Sequence, residues 1–251
     1  MPANKTTQFW SLHLGLPLLL AAFMLWLYPA TNLDASLIAP YFNSATRTFP
    51  LSNHWLFEGI LHKGLKNCMI VVAVGTLLAW LAGFKMERFK PQQQQYWWAF
   101  LGMVSATSVV SVLKHHSIHG CPSSLIEYGG ALPYLELFAN LPAGVKMGKC
   151  FPGGHASGGF ALMAFYFAFR DSKPKFARDM LLVGLLLGFA MGWAQMMRGA
   201  HFLSHNIWAA LLVWAVLLIL TVSHNTISIV IEKLSPKLAS IQNTLQKLFL
   251  C

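Results

Sequence analysis

The sequence predicts an all-α integral membrane protein, a bundle of about six transmembrane helices. Of its 251 residues, 56% are hydrophobic and only 10% are Asp, Glu, Lys or Arg. Soluble domains carry roughly 25% charged residues, so this chain lacks the charge to cover a water-exposed surface. Long apolar runs also recur along the whole length, most of them near the ~20 residues that span a bilayer. These observations exclude a soluble enzyme, a disordered chain and a disulfide-rich small scaffold.

Six apolar segments are expected to form the membrane helices, over approximately residues 9–28, 65–84, 96–113, 156–169, 180–197 and 202–222. The first is too long for a signal-peptide core and precedes no small-x-small cleavage site, so we expect it to be retained. The fourth is short and reaches spanning length only if it begins in the preceding loop. We expect one transmembrane domain over residues 1–223. Residues 224–251 form a cytoplasmic tail that either lies on the membrane surface or is a solvated helix.

The distribution of Lys and Arg predicts the orientation of the bundle. Eleven of these residues lie in the tails and in the two short loops after segments two and four, and seven lie in the longer loops. The positive-inside rule therefore places both termini in the cytoplasm and loops 29–64 and 114–155 on the outer face. We expect a bacterial inner membrane protein. The net charge is +10, but the basic residues fall at the ends of the apolar runs, as is usual in membrane proteins. We therefore do not expect nucleic-acid binding.

Histidine is concentrated at the predicted outer face. Polar groups at the membrane edge are costly unless they have partners, and they therefore mark function. This face is the expected location of an active site. Eight of the ten histidines lie at or beyond the outer ends of the predicted helices: His54, His62, His115, His116, His119, His155, His201 and His205.

Two of the histidine-rich stretches lie at the two ends of the loop between segments three and four. Lys114 lies at the outward end of segment three, where it is either a ligand-binding cation or a snorkelling anchor. His115 and His116 are adjacent, so at most one of them can face a site together with Lys114. Further along the chain, Gly153 and Gly154 directly precede a helix start. Glycines there permit positive φ and leave backbone N–H groups free for an anion. His155 would then lie at the mouth of an anion site, although a plain glycine turn is also consistent.

The third stretch joins segments five and six. If it is helical, Arg198, His201 and His205 share one face. Arginine offers forked donors for a phosphate, and a neutral histidine can attack phosphorus or transfer protons. The alternative is a snorkelling arginine with capping histidines. A lysine, a Gly-Gly-His at a helix start and an Arg/His pair on one membrane face together predict a phosphate site with a nucleophile and an acid.

In this order the stretches resemble the signature of the type 2 phosphatidic acid phosphatase superfamily, membrane lipid phosphatases related to vanadium haloperoxidases. The resemblance covers about residues 60–215, and the family pattern is Lys-x6-Arg-Pro, Pro-Ser-Gly-His and Ser-Arg-x5-His-x3-Asp. Cys121, Gly153 and His205 stand where the family has Arg, Ser and Asp. The second family Arg falls on Gln195, and Arg198 stands three residues later, where a helix brings the two together.

The resemblance implies roles for these residues. His201 would form a phosphohistidine, and His155 would protonate the leaving oxygen. Lys114 and Arg198 would neutralise the phosphoryl oxygens, with help from the glycine N–H groups. Since Lys and Arg replace magnesium in this scheme, we expect no metal and no cofactor.

Because the family Asp is absent, another group must hold His201 in one tautomer. We favour His205, with Glu127, Glu58, His62 and Asp34 as alternatives. Ser117 and Gln195 are further candidate contacts to the substrate or to the catalytic groups. An oxidising compartment permits a disulfide between Cys121 and Cys150, although two free thiols are equally consistent.

The expected substrate is a lipid phosphate or pyrophosphate, and the sequence does not predict which lipid or what oligomeric state. A lipid phosphotransferase would use the same site. A metal-dependent hydrolase is a weaker alternative: His201-x3-His205 has metal-ligand spacing and His155 could be a third ligand, but the Glu of His-Glu-x-x-His is absent. A di-iron oxidase is weaker still, because His115-His116-x-x-His119 resembles one histidine box and no comparable set completes it. A lipid-phosphate transporter should instead place its polar residues at mid-membrane.

Overall fold

The computed structural model describes residues 9–223. Their regular secondary structure is helical, and these residues form no strand. The predicted all-α class is confirmed, and the tail over residues 224–251 lies outside the described residues. The helices numbered here are α1 Ser11–Ala30, α2 Leu33–Ile38, α3 Leu56–Ala82, α4 Lys90–His115, α5 Gly154–Phe160, α6 Met163–Phe169, α7 Pro174–Met197 and α8 Leu203–Ser223.

Five of these helices, α1, α3, α4, α7 and α8, are long and apolar enough to cross a membrane. Segment two begins nine residues earlier than expected, because α3 starts with a π-helical stretch, Leu56–Gly64. That stretch carries Glu58, His62 and Lys63, and these polar residues break the apolar run from which the segment was predicted.

The fourth predicted segment is the pair α5 and α6, which are separated by a turn at Ala161 and Leu162. It begins only two residues before the expected start, so together the two helices remain shorter than the ~20 residues of an ordinary span. They are instead the centre of the bundle. Phe160, Met163 and Phe169 are almost completely buried, against α4, α7 and α8.

Small residues on α7 allow it to lie against α5. Gly184, Gly188 and Gly192 recur every four residues, and a Cβ added at Gly188 would lie 2.1 Å from Cδ1 of Phe160. A Cβ at Gly159 would lie 2.5 Å from the backbone nitrogen of Gly188. Membrane helices associate through such close packing, since lipid is as apolar as the side chains. The contact fixes the start of α5 relative to the end of α7.

The ends of the helices that carry the histidine-rich stretches meet at one end of the bundle, which we call the site end. An apolar cluster covers it, comprising Ile38, Phe49, Leu125, Met196 and Phe202. A disulfide between Cys121 and Cys150 joins the two sides of the long loop there. Gly199 ends α7 with φ of 67°, and a Cβ on it would lie 2.3 Å from Cδ2 of Phe49.

Candidate active site

Two buried histidines face each other at the site end. The Nδ1 atoms of His201 and His205 are 3.3 Å apart, and each residue is 5% exposed. Arg198 and the two histidines do not share one helix face, because the stretch is not helical throughout: Gly199 ends the helix. His201 lies in the connection between α7 and α8, and His205 lies in the first turn of α8. The two imidazoles meet because the chain turns directly from one helix into the next.

The environment of His201 keeps its imidazole neutral. Burial, followed by the charges of His205, Lys114 and His155, lowers the pKa of His201 well below its usual value of 6.5. A neutral imidazole carries one N–H and one lone pair. If Nδ1 of His201 donates to Nδ1 of His205, the lone pair remains on Nε2, which can then act as a nucleophile.

Lys114 brings a positive charge to this histidine pair from the end of α4. Its Nζ donates a hydrogen bond of 2.8 Å to the carbonyl of Lys149. Its aliphatic stem packs on α5, since a Cβ added at Gly154 would lie 3.1 Å from Cδ of Lys114. The first and second predicted stretches are therefore in direct contact.

Gly153 serves the site in a different way from the one the sequence suggested. Its N–H donates to the carbonyl of His205 at 2.9 Å and is not free for an anion. Its φ is −68°, and Gly154 does not have a positive φ either. Glycine is needed for space, because a Cβ would lie 2.7 Å from Oδ1 of Asn206. The hydrogen bond fastens the second stretch to the third.

His155 is the first side chain of α5 and reaches towards α3. Its Nε2 lies 3.1 Å from the carbonyl oxygen of Leu61. A carbonyl only accepts, so Nε2 carries the proton and Nδ1 remains for other chemistry. The ring of His62 packs edge to face against it, with centroids 4.7 Å apart.

Arg198 lies beside Gln195, as the helical spacing predicted. Its guanidinium donates to Oε1 of Gln195 at 3.1 Å and to the carbonyl of Ser52 at 2.9 Å. Oε2 of Glu58 is 3.8 Å away. Burial lowers the pKa of His155 to about 4, and the positive charge of Arg198 adds to that effect.

The three motif stretches thus converge at one end of the bundle, and they follow the chain order of one protein family. A sequence model of the PAP2 superfamily matches residues 95–228, more than half of the chain. The chain belongs to the PAP2 superfamily. This confirms the resemblance to the type 2 phosphatidic acid phosphatases and makes the chain a member of a phosphatase family. No curated protein and no solved structure matches it significantly.

The remaining residues predicted near the PAP2 site make other contacts. Oγ of Ser117 is 3.1 Å from Nδ1 of His119. Glu127 is exposed and lines a cavity of about 650 Å³ that His205 also lines. His115 and His116 are exposed, and Nδ1 of His116 lies 2.9 Å from the carbonyl of Val112.

Two polar residues of the site end were not assigned correctly from the sequence. Asp34 accepts hydrogen bonds from the N–H and hydroxyl of Ser204 and from the hydroxyl of Tyr28. Asp34 therefore caps the start of α8 at Ser204, which lies between His201 and His205 in the sequence. From the sequence, Asp34 was considered only as a direct partner of His201. Asn206 is 1% exposed, and both polar atoms of its amide lack a partner. The only feature of the sequence that could have pointed to Asn206 is its polar amide side chain inside an apolar run.

The disulfide lies directly against the histidine pair. Sγ of Cys150 is 3.6 Å from Nδ1 of His201. Cys150, His201 and His205 place one ligand atom each within 4.8 Å of one another, all buried. Thiolate is the sulfur form that binds metals well, and a disulfide-bonded sulfur is not a thiolate. As it stands, the cluster therefore offers a metal ion two imidazoles and a poor third ligand.

Proposed function

We propose that the chain is a membrane phosphatase of lipid phosphates or pyrophosphates that works through a phosphohistidine on His201, without a metal. The observation that carries the proposal is the 3.3 Å approach of His205 to Nδ1 of His201, at the position where the family has Asp. This contact supports the tautomer in which Nε2 of His201 is free to attack.

The proposed reaction has two steps. Nε2 of His201 attacks phosphorus, the bond from phosphorus to the lipid oxygen breaks, and His155 gives a proton to that oxygen. Water then attacks the phosphohistidine, His155 takes a proton from the water, and the phosphorus–nitrogen bond breaks to release phosphate. His155 and His201 end the cycle as they began, so no cofactor is consumed.

The charges around the pair support this sequence of steps. Lys114 lies near the histidines and Arg198 lies near His155, so both can stabilise the charge on the phosphoryl oxygens. Burial lowers the pKa of His155 in the empty site. A bound, negatively charged phosphate opposes this effect and favours the imidazolium form, which is the form that donates a proton. The loss of one such stabilising donor typically costs ~10²–10³ in rate.

The substrate and location follow from the membrane setting. A site at the edge of an apolar bundle suits a phosphate carried by a lipid, such as undecaprenyl pyrophosphate, phosphatidylglycerol phosphate, phosphatidic acid or a lipid A phosphate. The basic residues support a bacterial inner membrane with both termini in the cytoplasm and a periplasmic site. The disulfide supports an oxidising compartment on the site side.

The test is phosphate release from this panel of lipids by purified protein. We expect His201→Ala to abolish release, and His116→Ala, an exposed histidine next to the same loop, to keep it. EDTA should leave the wild-type rate unchanged. Equal release by wild type and His201→Ala would remove the proposed nucleophile, and full inhibition by EDTA would favour the metal hydrolase.

A lipid phosphotransferase is the second candidate, supported by the cavity of about 650 Å³ that reaches His205. Asp34, Glu127 and Glu136 line it and no Lys or Arg does, so it suits the uncharged or cationic part of an acceptor better than a second phosphate. Following labelled phosphate from donor lipid to water or to a second lipid separates the two activities.

A further inference from the structure

We propose that the Cys121–Cys150 disulfide protects the histidine pair from zinc, and that its reduction creates a buried inhibitory zinc site from Cys150, His201 and His205. The ligand atoms of these three residues lie within 4.8 Å of one another. One thiolate and two imidazoles are ordinary ligands of Zn²⁺, with water in the fourth position.

The distances fit a tetrahedral zinc ion. Zinc binds imidazole nitrogen at about 2.0–2.1 Å and thiolate sulfur at about 2.3 Å, so tetrahedral angles place two such nitrogens about 3.3 Å apart and a nitrogen and a sulfur about 3.6 Å apart. The Nδ1 atoms of His201 and His205 are 3.3 Å apart, and Sγ of Cys150 is 3.6 Å from Nδ1 of His201. Two of the three distances between ligand atoms therefore already match a zinc site, and the third is no longer than 4.8 Å.

The neighbourhood keeps the ligand set in place and available. Cys150, His201 and His205 are all buried, so the packing around them holds their side chains in position. The carbonyl of His205 accepts from the N–H of Gly153, three residues after Cys150, so the backbone holds the two segments together without the disulfide. The Nζ of Lys114 is already engaged in a hydrogen bond to the carbonyl of Lys149.

The chemistry of the switch is a thiol–disulfide exchange followed by metal binding. A dithiol reductant gives two electrons and two protons to the Cys121–Cys150 bond and becomes a disulfide itself. Zn²⁺ then replaces the thiol proton of Cys150, and that proton passes to the buffer. The bound ion would engage the imidazoles of the histidine pair and hold them away from substrate. In the oxidised protein the sulfur is not a thiolate, and two imidazoles alone bind zinc weakly.

The test measures metal binding directly in the full-length protein in detergent, with Cys68→Ser and Cys251→Ser in every sample to remove the other thiols. Cys121→Ser frees the thiol of Cys150, and Cys150→Ser is the matched control that also lacks the disulfide. Co²⁺ is the spectroscopic probe, because cobalt thiolates have a charge-transfer band, and Zn²⁺ affinity is then measured by competition.

We expect one Co²⁺ per chain with a thiolate band in Cys121→Ser, and zinc affinity at least about tenfold tighter than in Cys150→Ser or in the oxidised protein. Equal affinities, or a bound ion without the thiolate band, would overturn the proposal. If Cys121→Ser does not fold, zinc affinity and the cobalt–thiolate band are measured instead on the disulfide-containing protein, before its reduction and again after reduction and removal of the dithiol. Tighter binding with the band after reduction supports the proposal, and unchanged affinity or a missing band overturns it.

Inhibition by zinc rests in addition on the proposed function. Phosphate release should fall with added zinc in Cys121→Ser, recover with EDTA, and remain unchanged in the oxidised protein. Thiolate-coordinated zinc with unchanged phosphate release would keep the metal site and would contradict both the inhibition and the role of His201 as nucleophile.

Discussion

The replacement of an acidic residue by His205 is the most unusual feature at the scale of single residues. A carboxylate accepts a hydrogen bond in any protonation state that matters near neutral pH, whereas histidine accepts only through an unprotonated nitrogen. The burial of His205 fits this requirement, because it removes the solvent that would stabilise a second positive charge.

Substitution of His205 tests whether it orients the nucleophile. His205→Leu should lower kcat for phosphate release by ~10²–10⁴-fold, because nothing would then hold the tautomer of His201. His205→Asp restores the family residue and should stay within about tenfold of wild type. Steady-state kinetics with His116→Leu as control checks this; a fully active His205→Leu would assign the orienting role to another group.

The low pKa of His201 predicts how stability depends on pH. In the unfolded chain the imidazole is protonated below about 6.5, whereas in the folded protein it remains neutral to a lower pH. The unfolded state then binds more protons, so the contribution of His201 to stability is complete above pH 6.5 and decreases as the pH falls below it. Thermal unfolding between pH 7.5 and about 5 should show a smaller loss in His201→Gln than in wild type; parallel losses would contradict the neutral imidazole.

At the scale of helices, the contact of α5 with α7 controls the distance between the second and third motif stretches. The backbone of Gly188 touches the ring of Phe160, and Gly192 lies against the amide of Asn206. The position of His155 relative to the His201 connection therefore depends on residues far from any substrate.

Gly188→Leu tests this contact. The new side chain would enter the space of Phe160, which should destabilise the bundle by about 1–3 kcal/mol and lower activity through misplaced catalytic groups. Gly75 on α3 is the matched control, since a Cβ there meets nothing within 4 Å. Thermal unfolding in detergent should separate Gly188→Leu from Gly75→Leu, and equal melting temperatures would argue against the close packing.

The cap on α8 belongs to the same scale. Asp34 accepts the N–H of Ser204 at 2.9 Å, and its loss should cost about 0.5–2 kcal/mol, as for other helix caps. Asp34→Ala should therefore melt at a lower temperature than Asp34→Asn, which keeps an acceptor oxygen. Glu87→Ala, a highly exposed acidic residue, is the control. Identical melting of all three variants would show that the cap contributes nothing.

For the whole molecule, the bundle and the motif order could be predicted because apolar runs and family motifs are local in sequence. The start of α3 was missed because Glu58 and Lys63 interrupt its hydropathy. The role of Gly153 was misjudged because a sequence does not distinguish a glycine needed for positive φ from one needed to make room for Asn206. Asp34 was misassigned since it meets Ser204 across 170 residues, and no spacing rule connects them.

The distribution of functions across the chain follows from this architecture. The family match over residues 95–228 contains the residues proposed as nucleophile, acid and cations. The part of the chain before it supplies Ser52 and Glu58 to Arg198, Leu61 to His155, and Asp34 to α8. Both halves of the described chain therefore build one site.

The most direct measurement of the central claim is to trap the covalent intermediate. Purified protein is mixed with a lipid phosphate carrying labelled phosphorus, quenched within one turnover, digested under alkaline conditions, and the labelled peptide is sequenced. The account predicts an acid-labile, base-stable label on His201 that is absent from His201→Ala. A label on another residue, or turnover without any covalent label in wild type, would contradict it.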